Sequence, residues 1–194
     1  GPFPTLSEFT SCHWEKVSYF AAHASTIWAY CYHQRKDVTK FNCIQLYWGG
    51  DILSYYKNIY YALWVVGLGS TDLDIMVKVD PFRHRAWNHV CVVYSSLKSS
   101  SLFYFNGQLV GNETYDSLPV VPGSELVEEY AFTLGQDPDT MRGNFSWDQA
   151  FYGRISELNL WNETLEESRI KAMATGNYFE KGNVVSWRKE NFEF

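Results

Sequence analysis

In "LDIMVKVD", Leu73, Ile75, Val77 and Val79 alternate with Asp74, Met76, Lys78 and Asp80. A period of two puts the apolar set on one face of an extended strand and the polar set on the other. Further β-like runs recur along the chain: "EFTSCHW", "CIQLYW", "ALWVVGL", "HVCVVY", "LFYFNGQLV", "YAFTLG" and "RISELNLW". Gly, Ser, Pro, Asn and Asp separate them, so the pattern predicts many short strands in an all-β sandwich or barrel. Asn106-Gly107 lies between "LFYF" and "QLV" and predicts a tight hairpin turn, because both residues tolerate positive φ. One helix is expected from Thr164 to Gly176. Thr164 would cap its start with Glu167 reaching back, Gly176 would end it, and Ile170, Met173 and Ala174 would form its apolar side. "YDSLPVVPGSELVEE", residues 115–129, reads as a long surface loop.

Composition sharpens this reading. Hydrophobic residues make up 46% of the 194 residues and aromatics 18%, a bias toward half-buried pleated surfaces. That length suits one core, and neither internal repeats nor a linker-like stretch interrupts it, so residues 3–194 are expected to form a single domain. A formal charge of −6 repels a phosphate backbone, which argues against nucleic acid as a partner. The longest apolar run, "YYALWVVGLG", is about half the length a membrane-crossing helix needs, so this segment is not expected to insert. The leading Gly1-Pro2 looks like a cleavage scar, and a leader or anchor removed from a larger protein is the corresponding expectation.

Four cysteines, Cys12, Cys31, Cys43 and Cys91, accompany three Asn-x-Ser/Thr sequons at Asn112, Asn144 and Asn162. Together they point to an oxidising, extracellular setting, secreted or on a cell surface, with two disulfides in one of three possible connectivities.

"FTSCHW", "AWNHVCVVY", "YFNGQLV", "LGQDPD", "GNF", "QAFYGRISELNLWN" and "GNVVSW" follow one another in an order that resembles the pentraxin family. The resemblance covers most of the chain. It implies a two-sheet antiparallel jelly roll carrying one helix, and a Cys12–Cys91 bridge, with Cys31 and Cys43 then joined to each other around an added loop. In the family, a further strand precedes the one resembling "EFTSCHW" and more residues follow the last motif; this chain lacks both, which favours an excerpt of a larger protein. The activity implied is noncatalytic recognition or adhesion, in a receptor ectodomain or a secreted protein, toward an extracellular protein or glycan. Assembly into oligomers is also within the family's habits.

The resemblance bears on calcium too. Asp137 and Asp139 match acidic ligand positions, Pro138 can offer its carbonyl, and Gln149 and Asn42 match amide ligands. Calcium takes six to eight oxygens in irregular geometry, which such a loop can supply. Two acids of the family pattern are missing, since Phe41 and Ser146 stand in their places, so the site should be weak. Asp37 and Asp148 are candidates to compensate, and Ser146 completes the sequon of Asn144, where a glycan would crowd the metal face. The alternative for the same residues is a Pro-containing turn held by Asp side chains, with no ion. Two other chemistries compete with these. Asp72 and Asp74 alternate as glycosidase carboxylates do, but Met76 stands where a further polar group is needed. His89 beside Cys91, and His33 beside Cys31, have the elements of a zinc site, although disulfide pairing explains the cysteines more simply.

Overall fold

The computed structural model describes residues 2–21, 23–35, 37–49, 59–66, 73–80 and 82–187, with backbone alone for 37–40. The strands are β1 (Glu8–Tyr19), β2 (Ser25–Gln34), β3 (Asp37–Gly49), β4 (Tyr60–Val65), β5 (Leu73–Lys78), β6 (Asn88–Ser95), β7 (Ser100–Phe105), β8 (Gln108–Thr114), β9 (Val127–Leu134), β10 (Pro138–Thr140), β11 (Gly143–Phe145) and β12 (Tyr152–Trp161). The helix is α1 (Glu167–Met173). The chain divides into two compact units, each built on one five-stranded antiparallel sheet. Among the described residues no helix is long and apolar enough to cross a membrane.

One sheet has the order β12-β1-β6-β7-β8. Cys12 of β1 faces Cys91 of β6 in the register, and the two are joined as a disulfide. β7 and β8 form the predicted hairpin, with Asn106 at φ 49° and Gly107 at φ 78°, the left-handed pair that a tight twisted turn requires. Asn106 also ties the turn to β6, because its Oδ1 accepts the His89 amide at 2.8 Å. The helix lays Ile170 and Met173 on Cys12, Cys91, Val93, Tyr104 and Trp161, all buried. Burying two such side chains contributes roughly 3–6 kcal/mol, far more than a seven-residue helix earns from its own propensity.

The helix begins two residues later than the capping pattern predicts. Thr164 is not its cap, and Glu166 at the N-cap position makes no side-chain capping bond. The cause lies in β1, where the Thr10 hydroxyl donates to the Glu163 carbonyl at 2.8 Å and accepts the Leu165 amide at 2.9 Å. That clamp ties 163–165 to β1 outside the helix. The C-terminal end matches expectation: Gly176 sits at φ 74° and its amide bonds the Met173 carbonyl at 3.1 Å.

The second sheet has the order β5-β4-β3-β2-β9. In β5 the alternation is as expected, with Ile75 and Val77 buried and Met76 and Lys78 exposed. In β3, Ile44, Leu46 and Trp48 form the dry face, while Cys43, Gln45 and Tyr47 lie on the other. β2 was not among the runs read from the sequence. Its first eight residues are all buried, so apolar side chains fill both faces and no alternation marks it. Its Cys31 bonds Cys43 of β3 across the register. The expected surface loop at 115–129 is also corrected: its last three residues open β9, and Val121 is buried and exchanges two 2.9 Å backbone bonds with Leu6.

Candidate functional site

At the end of β9, Gly135 takes φ 70° and turns the chain toward β10. Its amide donates to the Ile27 carbonyl and its carbonyl accepts the Phe151 amide, both at 2.9 Å. Gln149 is fastened from behind, because its carbonyl accepts the Thr26 amide of β2 at 3.1 Å. The β10–β11 hairpin, paired through Pro138–Phe145 and Thr140–Gly143, carries Pro138 and Asp139. These anchors bring a loop against β3, and a cleft of about 390 Å³ opens between them.

All five residues expected around a cation line this cleft: Asn42, Asp137, Pro138, Asp139 and Gln149. The reading from sequence missed Gln45 and the apolar wall of Trp64 and Val66. Gln45 breaks the apolar run in "CIQLYW" two residues after Cys43, which placed it on the Cys43 face; only the Gln45–Trp64 register shows what it meets.

Asp137 is the electrostatic centre. Its Oδ2 accepts the Gln149 side-chain amide at 2.9 Å and its Oδ1 accepts the Gln45 amide. Burial pushes its carboxyl up to about 6; the Gln45 bond opposes that rise, and the charge of Asp139 adds to it. An anion that is desolvated and repelled by a second anion is what a hard cation would relieve. Asn42 Nδ2 is buried with no hydrogen-bond partner among the described residues, a donor that an acceptor atom of a bound ligand, not a cation, would meet. Two carboxylates, two amide oxygens and a backbone carbonyl therefore fit calcium by donor type, at low total charge.

Of the two candidate compensating acids, Asp148 does not join. Asp148 receives the Ser146 hydroxyl and lies 3.1 Å from His23 Nε2, and it does not line the cleft. The Asp37 side chain and all of Asp72 lie outside the described residues. Asp74 accepts the Tyr47 hydroxyl at 2.8 and 3.0 Å, and burial raises its carboxyl against that bond. Cys12, His89 and Cys91 group their ligand atoms closely, but both sulfurs are consumed by the disulfide. Burial pushes the His89 imidazole down to about 3, so it is neutral. The sequon residues Asn112, Asn144 and Asn162 are all exposed.

The raised Asp137 carboxyl has a calculable consequence. The folded chain binds this proton more tightly than the unfolded one, so the ionised carboxylate costs stability above about pH 6, and the cost fades as pH falls toward 4. Lowering pH from 7 to 5 should stabilise the natural chain relative to Asp137→Asn by on the order of 1 kcal/mol, allowing for partial solvent screening. Urea unfolding of both at the two pH values checks this; parallel curves would contradict it.

The chain matches the pentaxin family over residues 2–194. It is 26% identical over 198 residues to C-reactive protein 1.4 of Limulus polyphemus, covering all of this chain and 74% of that one. It is 28% identical over 144 residues to the pentraxin fusion protein of Xenopus laevis, covering 70% of this chain but spanning only 33% of that protein. The structure superposes on the native heptameric SAP-like pentraxin from Limulus polyphemus with a TM-score of 0.72 at 21% identity, covering 97% of this chain and 79% of the other. That likeness shows the fold, an antiparallel two-sheet sandwich with one short helix.

Proposed function

The chain belongs to the pentaxin family, and from that premise we propose that residues 3–194 act as one noncatalytic recognition domain outside the cell. The domain would belong to a secreted protein or a cell-surface receptor ectodomain, and its partner would be an extracellular protein or glycan. One observation carries the reading: oxygen donors and an apolar wall converge on a single cleft held by backbone bonds to β2. A preformed cleft binds with little ordering cost, which suits presentation rather than bond making. The candidate acids are already engaged, Asp74 by Tyr47 and Asp137 by two amides, which favours holding over proton transfer. The two disulfides support the extracellular setting, with glycans at Asn112, Asn144 and Asn162. Self-association belongs to the same proposal, and sedimentation of the glycosylated chain tests it.

Calcium is the second reading, favoured by the convergence around Asp137. Asn42, Asp137, Pro138, Asp139 and Gln149 would hold the ion, and the ion would supply a positive charge for an anionic or phosphorylated ligand. With two carboxylates the dissociation constant should lie near ~1 mM, so 10 mM calcium would add about 1.4 kcal/mol, or roughly 3–6 °C in Tm. At 0.1 mM the shift should vanish, and Asp137→Asn should abolish it. No shift at 10 mM discards the calcium reading and leaves recognition without metal.

A further inference from the structure

β11 places Asn144 beside Asp139 across the two-stranded hairpin. Asn144 is exposed, sits at φ 56°, and points its side-chain amide at the cleft rim, with Nδ2 donating to Asp139 Oδ2 at 3.3 Å. Nδ2 is the atom that an N-glycan occupies. The same tripeptide, Asn144-Phe145-Ser146, supplies the acceptor signal through Ser146, whose hydroxyl donates to the Asp148 carboxylate. The other two acceptors differ. Asn112 lies on β8 and Asn162 exchanges hydrogen bonds with Asn183 at 2.6 and 3.0 Å, and neither lines the cleft.

We infer that Asn144 carries an N-glycan whose first sugar shields the rim at Asp139, so that modification of this one side chain sets how the cleft responds to cations. In the attachment step Nδ2 attacks the anomeric carbon of a polyprenyl-diphosphate-linked oligosaccharide. The diphosphate leaves with the bonding electrons, Nδ2 gives up one proton and one N–H remains. A bulky polar group is then covalently fixed to the nitrogen 3.3 Å from a carboxylate that faces the cleft. Water and cations reach Asp139 past that sugar, and the remaining N–H can keep its bond to the carboxylate and compete with a metal for it. Ser146 thus acts twice: it adds no charge to the rim, and it completes the signal that covers it.

This inference rests on the cation reading of the cleft. It is tested with the chain secreted from a glycosylating host, by glycopeptide mass spectrometry and by calcium-dependent melting. Asn144 should be mostly occupied. Asn144→Gln and Ser146→Ala, which remove the glycan through different side chains, should each lower the calcium midpoint at least threefold, while Asn112→Gln should leave it unchanged. An unmodified Asn144, or equal midpoints in all forms, overturns the shielding. A flat calcium response in every form overturns the cation reading and the shielding with it.

Discussion

Replacing Cys12 and Cys91 together by alanine is expected to cost about 4.5 kcal/mol, from the conformational freedom restored to the unfolded chain when a 79-residue separation is no longer closed. That is a large share of the 5–15 kcal/mol that keeps a domain folded. Both half-cystines are buried, and they sit under the helix with Val93, Tyr104, Trp161, Ile170 and Met173, so the two lost sulfurs also leave a void beneath α1. The same double replacement at Cys31 and Cys43, separated by 12 residues, should cost about 3 kcal/mol. Urea unfolding under non-reducing conditions should therefore rank the Cys12/Cys91 pair as the costlier by about 1.5 kcal/mol. A reversed ranking would mean that the hairpin bridge, not the long-range one, organises the fold.

How much of this was legible in the sequence depended on how local the deciding interaction is. β5 announces itself because one face is wet, and the Asn106-Gly107 turn because two adjacent residues meet its whole conformational demand. β2 does not, since a strand covered on both faces has no alternation to read. The helix end is local, but its start is decided by Thr10, 153 residues before Glu163 in the chain. The cleft divides in the same way. Apart from Asn42 on β3, its oxygen donors cluster in "QDPDT" and at Gln149, so a resemblance to a family motif could find them. Gln45 and Trp64 look like ordinary strand residues until β3 pairs with β4 and sets them side by side. Asp148 errs in the other direction: near the motif in sequence, it is taken up by Ser146 and His23.

The electrostatics of the cleft lead to the other large expected effect. Restoring acids at both altered positions, Phe41→Asp with Ser146→Glu, should tighten calcium binding at least tenfold, or about 1.4 kcal/mol. Two carboxylates would become four around a rim where burial already strains Asp137. Without metal, the added repulsion destabilises the fold, and losing Phe41 from its place beside His33 and the Cys31–Cys43 bridge costs roughly 1–2 kcal/mol more. With metal, the same charges become ligands. The variant's Tm should therefore fall in chelator and recover in 10 mM calcium, a wider spread than the natural chain is expected to give. Phe41→Ala with Ser146→Ala is the control, because it removes the same aromatic and the same glycan signal without adding charge. If the acidic variant and this control share one calcium midpoint by titration calorimetry, positions 41 and 146 do not reach the ion and the cleft does not take calcium in the arrangement argued for it.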